Sequence, residues 1–173
     1  MKKTKTKEII LISLSAAIIC ICSWIQVPSA VPFTLQTFAV FLVSAVLGAK
    51  KGVAATLVYI LLGAVGLPVF SGFQGGVGVL LGATGGYVFG FVLLALIVGA
   101  VAEKKGIKLL PSVLSGLAGI LLCYLVGTLW FAFVYGDGSF SGAFSVCVLP
   151  FIIPDAIKIT LAMIIAKRVK NLI

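Results

Sequence analysis

The sequence predicts an all-α integral membrane protein: one domain over residues 1–173, built from six transmembrane helices, with both termini on the cytoplasmic side. Three observations predict it. The first is composition. Of the 173 residues, 62% are hydrophobic and only 10% are charged, with a mean hydropathy of +1.32, whereas a soluble domain carries roughly 25% charged residues. There are too few polar side chains to cover a water-exposed globule, so lipid is the expected solvent for most of the chain. The second is length. A spanning helix takes about 20 mostly apolar residues, so the chain accommodates up to six with short loops and leaves nothing for a soluble domain. The third is charge order. The termini and inter-helix segments read basic, uncharged, basic, uncharged, basic, acidic, basic. That alternation is complete for six helices. By the positive-inside rule both termini and the two lysine-bearing loops are cytoplasmic.

Each element follows in turn. The first helix is expected near residues 8–25, after Lys2, Lys3, Lys5 and Lys7. This start, with Pro28-Ser29-Ala30 beyond it, looks superficially like a signal peptide. The apolar run is long enough to span, however, and its loss would leave an odd helix count with mismatched charge, so it is read as a retained helix. Ser13 and Ala17, and Ala16 and Cys20, are small residues four apart, a spacing that lets helices approach closely in lipid. Trp24 suits a membrane-interface anchor. An uncharged loop containing Pro28 and Pro32 leads to the second helix, near 34–48, which ends before Lys50 and Lys51. The third, near 53–66, stops at Gly66-Leu67-Pro68. Both are short for a hydrocarbon core of about 30 Å. The fourth helix, near 82–102, leaves a glycine-dense stretch and ends at Glu103-Lys104-Lys105-Gly106. The fifth runs near 110–135, and Gly136-Asp137-Gly138-Ser139 then forms a turn-rich loop. The sixth, near 154–169, closes the chain with Lys167, Arg168 and Lys170.

Composition also excludes function classes. The net charge of +9 lies in four clusters, each at the end of an apolar run. That is a topology pattern rather than a nucleic-acid groove, and contact with anionic membrane lipid is its natural by-product. Cys20, Cys22, Cys123 and Cys147 form no metal-ligand motif, and the chain has no histidine, so no metal or other cofactor is expected. The acids are Glu8, Glu103, Asp137 and Asp155. With Asp137 in a loop, no pair of carboxylates faces across the membrane, and the chain is not read as an enzyme.

The candidate site centres on Pro154-Asp155-Ala156-Ile157-Lys158. With Pro154 at the first helical position, Asp155 falls in the first turn, where the helix dipole favours a carboxylate by about 0.3–1 kcal/mol. Lys158 opposes that dipole, and a lysine at the middle of a membrane costs roughly 2.5–3.5 kcal/mol. Two readings stand. Lys158 snorkels or pairs with Asp155 three residues away as a structural unit, or the two line a site for a solute with hydrogen-bonding and anionic groups. The topology puts them at the outer end, together with Thr34, Gln36 and the glycine-rich stretch 71–87. Gly78, Gly82, Gly86 and Gly90 recur every four residues; Gly86 and Gly90 read as a packing face. Residues 72–78 read as a loop that closes over a ligand, with Gln74 and Tyr87 as polar handles.

Val31-Pro32-Phe33-Thr34-Leu35-Gln36-Thr37, Leu62-Gly63-Ala64-Val65-Gly66-Leu67-Pro68-Val69-Phe70, the run from Gly75 through Gly85-Gly86-Tyr87, Gly127-Thr128-Leu129-Trp130 and Pro154-Asp155-Ala156-Ile157-Lys158 together resemble the BioY family in the same order over nearly the whole chain. These are biotin-binding S components of energy-coupling factor (ECF) transporters. The resemblance implies six helices, cytoplasmic termini and capture of biotin at the outer face. It also implies delivery with a transmembrane coupling protein and two cytoplasmic ATPases. It places substrate contacts at Asp155 and Lys158, with Thr34, Gln36, Gln74, Gly85, Gly86 and Tyr87 as further candidates. It leaves open whether Lys158 meets the carboxylate or the ureido oxygen. It also implies a docking face for the coupling protein at Ser13, Ala16, Ala17 and Cys20, the last standing where alanine is usual. Three alternatives remain: an S component for another vitamin, a carrier acting alone, and a non-catalytic assembly subunit.

Overall fold

The apolar runs fold as helices, and the punctuating Pro and Gly residues lie between them. A computed structural model describes residues 2–28, 32–135 and 139–170. Residues 29–31 and 136–138 lie outside it, and with them the cleavage-like Ser29-Ala30 and the acidic turn at Asp137. In chain order the elements are α1 (Lys2–Trp24), β1 (Gln26–Val27), β2 (Phe33–Thr34), α2 (Gln36–Leu47), α3 (Ala49–Ala64), α4 (Val77–Leu80), α5 (Gly85–Lys105), α6 (Leu109–Trp130), α7 (Phe140–Cys147) and α8 (Ile152–Lys170). A π-helical turn at Phe131–Tyr135 prolongs α6, and a 3₁₀ turn at Leu149–Phe151 leads into α8.

Among the described residues four stretches are long and apolar enough to cross a membrane: Lys5–Trp24, Gly85–Lys105, Leu109–Val134 and Phe140–Lys170. Helices α2 and α3, with 12 and 16 residues, reach only about 18 and 24 Å at 1.5 Å per residue. The sequence expectation of short second and third helices therefore holds, while its six boundaries need three additions. Residues 26–27 and 33–34 pair as an antiparallel ribbon where only a loop was expected. The glycine-dense stretch contains the single turn α4. The loop before the last helix folds as α7. Pro154 also sits two residues inside α8 rather than at its first position, because Pro150 already opens the preceding 3₁₀ turn. Asp155 still lies in the first turn of α8, so the dipole argument stands.

The core draws on α1, α2, α3, α5, α6 and α8; Phe41 of α2, Leu94 of α5 and Ile159 of α8 are each fully buried. Small residues bring the helices this close. A methyl group on Gly116 of α6 would sit 2.7 Å from Ile159, and one on Gly90 of α5 would sit 2.8 Å from the Cys123 sulfur. The outward surface is apolar, with Leu61, Leu121 and Ile153 more than half exposed, as lipid-facing helices require.

The basic clusters gather at one end. Lys51 pairs with Glu8 of α1 at 3.2 Å, and Glu103 of α5 accepts a hydrogen bond from the Ala49 N–H at 3.0 Å. Gly48, at φ 83°, makes the sharp turn between α2 and α3. The ribbon and the loop 67–76 lie at the opposite end, with the candidate site beneath them.

Candidate functional site

A cavity opens at this end, between α2, α5, α6 and α8. Its polar wall is Thr34, Gln36, Thr37, Tyr124, Asp155 and Lys158, its apolar wall includes Val88, Phe91, Ile120 and Phe151, and Pro32, Ser71 and Thr84 also border it. Its free volume is about 60 Å³.

Asp155 and Lys158 project from one face of α8, three residues apart, and are 3% and 6% exposed. Burial of that depth demands partners for every charge. The Lys158 ammonium donates to Asp155 Oδ1 at 2.9 Å, to the Thr34 carbonyl at 2.6 Å and to Thr37 Oγ1 at 3.2 Å. Its three N–H groups are thereby used. It also lies 3.8 Å from the centroid of the Phe33 ring, a cation–π contact, and Phe33 stacks on Phe151 at 6.0 Å. The β ribbon explains this placement. Pairing of Phe33 with Val27 and of Thr34 with Gln26 holds the chain extended, so the Thr34 carbonyl and the Phe33 ring both reach the ammonium.

The carboxylate is equally engaged. Oδ1 also accepts from Thr37 at 3.0 Å, and Oδ2 accepts from the Tyr124 hydroxyl at 2.5 Å. Three of its roughly four acceptor directions are filled, leaving one on Oδ2. The site can thus offer an acceptor to a ligand N–H. It can also offer the ammonium to a ligand oxygen, if that oxygen replaces the Thr34 or Thr37 contact.

A second polar group stands across the cavity. The Tyr87 hydroxyl shares a hydrogen bond with Thr128 at 3.2 Å, and Gly127 leaves room for the Tyr87 ring. Trp130 donates to the Gly82 carbonyl at 2.9 Å, anchoring the segment ahead of α5. These contacts account for the Gly127-Thr128-Leu129-Trp130 motif.

The structure brings Thr34, Gln36, Tyr87, Asp155 and Lys158 to the cavity. It does not bring the other sequence candidates there. Gln74 is exposed, and Ser71 from the same loop lines the cavity instead. Gly85 and Gly86 are buried against neighbouring elements: a methyl on Gly86 would lie 2.7 Å from the Trp130 ring, and one on Gly85 the same distance from the Leu80 carbonyl carbon. Both serve helix packing. The small-residue stripe on α1 divides. Ser13 and Ala17 face outward, whereas Ala16 and Cys20, 1% and 6% exposed, belong to the core. Two cavity residues, Thr37 and Tyr124, escaped notice as individual candidates. Tyr124 carried a signal, being a phenol in the middle of an apolar helix.

The family of this chain is decided by its relatives. The BioY family matches residues 1–173. The chain belongs to the BioY family. A biotin transporter BioY of Thermotoga maritima is 44% identical, covering 96% of this chain and 97% of the relative. A probable biotin transporter BioY of Pyrococcus horikoshii is 42% identical, covering 96% and 98%. A crystal structure of the S-component for biotin from an ECF-type ABC transporter superposes with a TM-score of 0.90 at 25% identity, covering 99% of this chain and 94% of that one. The BioY fold is therefore established for this chain, and the cavity is a site on that fold.

Proposed function

We propose that this BioY protein is the biotin-capturing membrane subunit of an ECF-type transporter. It binds biotin and carries it; it catalyses no reaction. The observation that carries the reading is the buried Asp155–Lys158 pair set in a cavity with aromatic and aliphatic walls, in a chain whose relatives are named biotin transporters. Biotin presents two ureido N–H donors, one ureido oxygen, a thioether ring and a carboxylate tail. Asp155 Oδ2 suits a ureido N–H, Lys158 suits the ureido oxygen or the carboxylate, and Phe91, Ile120 and Phe151 suit the rings. Thr34, Gln36 and Tyr87 complete the set. Small-molecule sites usually enclose about 300–1,000 Å³, so a free volume of about 60 Å³ has to widen to admit biotin. Biotin then enters by displacement of the rim at Phe151 and Ser71.

In the membrane the molecule forms one domain of six spans. Helices α2 and α3 cross a thinned or partner-covered region, and the basic end with both termini faces the cytoplasm. The site then opens outward. The coupling protein docks on the exposed face of α1 at Ser13 and Ala17, and two cytoplasmic ATPases drive delivery.

Calorimetry with biotin on the purified protein tests the reading. Submicromolar binding that is lost in Lys158→Ala supports it. Binding at micromolar or weaker affinity with no loss in that variant removes the site assignment. Biotin uptake in cells lacking any ATPase partner would replace the proposed assembly with a carrier acting alone. Labelling of Ser71→Cys by an impermeant maleimide in intact cells tests the orientation; labelling only after permeabilisation reverses it.

A further inference from the structure

The end of the molecule opposite the Asp155–Lys158 cavity carries a second recess. It lies between the start of α6 and the last turns of α8 and is lined by Ile107, Leu109, Met163, Ile164, Lys167 and Arg168. Its free volume is about 380 Å³, within the range of about 300–1,000 Å³ usual for small-molecule sites. The two recesses share no lining residue. From Lys158 to Arg168 is about 15 Å along α8 at 1.5 Å per residue.

Helical spacing explains how the recess is built. Met163 and Ile164 lie one turn before Lys167 and Arg168 on the same side of α8. Met163 belongs to the core, whereas Ile164, Lys167, Arg168 and, across the recess, Leu109 are exposed. The floor is therefore hydrocarbon and the rim cationic. Those cations are not neutralised from within. Among the described residues the ion pairs are Glu8–Lys51 and Asp155–Lys158, Glu103 faces the Ala49 N–H, and no carboxylate meets Lys167 or Arg168. Of the 13 basic residues Arg168 is the single arginine, and a guanidinium grips a phosphate in a fork where an ammonium offers only a point charge. The first turn of α6 has no side-chain cap, and a helix N-terminus favours a nearby anion.

A more open recess on the same helix shows what the cations add. Toward the other end of α8, Ile152, Ile153, Ile157 and Leu161 line a space of about 450 Å³ that has no charged residue. Hydrocarbon tails of any lipid suit both recesses. Only the one at the basic end can select a headgroup, and basic residues flanking an apolar helix lie at headgroup depth. Its helices also differ from the one that carries the proposed partner-docking face. Helix α1 packs chiefly on α2 and α3 and, through Ser23 and Trp24, holds the Val69 and Pro68 carbonyls of the outer loop. Helices α6 and α8 pack on each other and on α5 and α2.

We propose that this recess binds one anionic phospholipid, with an acyl chain on Ile107, Leu109, Met163 and Ile164 and the headgroup phosphate on Lys167 and Arg168. The lipid joins the start of α6 to the end of α8 and so stabilises the bundle. The proposal does not depend on the biotin reading.

Native mass spectrometry of the full chain tests it, with the protein released from bilayers of phosphatidylglycerol and phosphatidylcholine in equal amounts and with the same acyl chains. The parent is expected to keep one phosphatidylglycerol in preference to phosphatidylcholine. Each cation near a membrane surface strengthens binding about fivefold, so Lys167→Gln with Arg168→Gln is expected to lower that retention at least tenfold. Lys5→Gln with Lys50→Gln removes the same charge outside the recess and is expected to change retention less than twofold. Ile164→Trp fills the recess, leaves every charge in place and is expected to displace the lipid. Phosphatidylglycerol, and not phosphatidylcholine, is expected to raise the thermal unfolding midpoint of the parent in detergent by several degrees, and the Lys167–Arg168 variant to lose that rise. Equal retention of the two lipids overturns the proposal, as does retention within twofold of the parent in the Lys167–Arg168 variant. An equal loss in the Lys5–Lys50 variant also overturns it, because diffuse charge then accounts for the effect. Displacement of the lipid by millimolar glycerol 3-phosphate would assign the recess to a free phosphate, and a dimer lost with Lys167 and Arg168 would assign it to a second copy; either result overturns the proposal. If the Lys167–Arg168 variant does not fold, Ile164→Trp decides, and retention within twofold of the parent overturns the proposal.

Discussion

The Asp155–Lys158 and Glu8–Lys51 ion pairs sit at opposite ends of the molecule and have nearly the same length. Lys158 and Asp155 lie 2.9 Å apart with side chains 7% and 4% exposed, and Lys51 and Glu8 lie 3.2 Å apart with side chains 35% and 47% exposed. The first pair carries five further contacts: from Lys158 to the Thr34 carbonyl, Thr37 and the Phe33 ring, and from Thr37 and Tyr124 to Asp155. The second pair faces solvent or headgroups. Distance alone does not rank them. Burial raises the cost of an unmatched charge by several kcal/mol, and water screens the exposed pair to a fraction of that. The chain tolerates a lysine inside an apolar bundle because an extended ribbon, the Asp155 carboxylate and the Thr37 hydroxyl surround it; under the proposed function the same setting presents it to the ligand.

The sharpest way to break the contrast is Lys158→Met, which preserves length and volume and removes the charge. Leaving Asp155 buried without its partner is expected to cost about 3–5 kcal/mol, read as a lower midpoint of thermal unfolding in detergent. Biotin affinity is expected to fall about a hundredfold or more, the equivalent of about 3 kcal/mol. Adding Asp155→Asn should restore part of the stability and none of the binding. Binding at parental affinity in the single variant would reduce the pair to a structural strut.

Tyr124→Phe is the next step down. It removes one donor to Asp155 and leaves the ring in place. A hydrogen bond to a charged group contributes about 1.5–3 kcal/mol, so affinity should drop at least tenfold, measured by calorimetry, with α6 still packed on α5. An unchanged affinity would mean that Thr37 and Lys158 alone orient the carboxylate.

The sequence made the first of these residues legible and hid the second. Asp155 and Lys158 stand out because charge is rare in an apolar run, and their spacing of three on a helix places them together. The long helices were legible for the same reason: apolar length and flanking lysines mark them. Tyr124 was hidden because its partner lies 31 positions away, and only the crossing of α6 over α8 brings them together. The β ribbon was hidden because two residues per strand carry no periodicity. Gly85 and Gly86 were ambiguous because a glycine that admits a ligand and one that admits a neighbouring element such as Trp130 look alike until the neighbour is known. The α1 stripe split because residues 13 and 17 share one face and residues 16 and 20 another, a difference that small size alone does not reveal.

At the basic end, Glu103→Ala tests a contact of intermediate strength. Glu103 accepts from the Ala49 N–H at the first turn of α3, where an acidic partner satisfies a free amide and complements the helix dipole. Its removal should cost about 1 kcal/mol, visible in thermal unfolding, and should leave biotin affinity at the parental value because the cavity is at the other end. A change in affinity would show that the two ends are coupled through α5.

The smallest effect is expected at Glu8–Lys51. Each partner alone, Glu8→Gln or Lys51→Gln, should change stability by no more than about 1 kcal/mol, because water already solvates both groups. The decisive measurement is the coupling between them. A double-variant cycle at low ionic strength should return a few tenths of a kcal/mol, and the value should vanish at about 1 M salt, where the screening length shrinks to about 3 Å. The buried pair should show no comparable salt dependence, since ions do not reach it. A surface coupling that survives high salt would mean that Glu8 and Lys51 are held by their helices rather than by their charges, and α1 would then be tied to α3 as firmly at the basic end as Ser23 and Trp24 tie it to the outer loop.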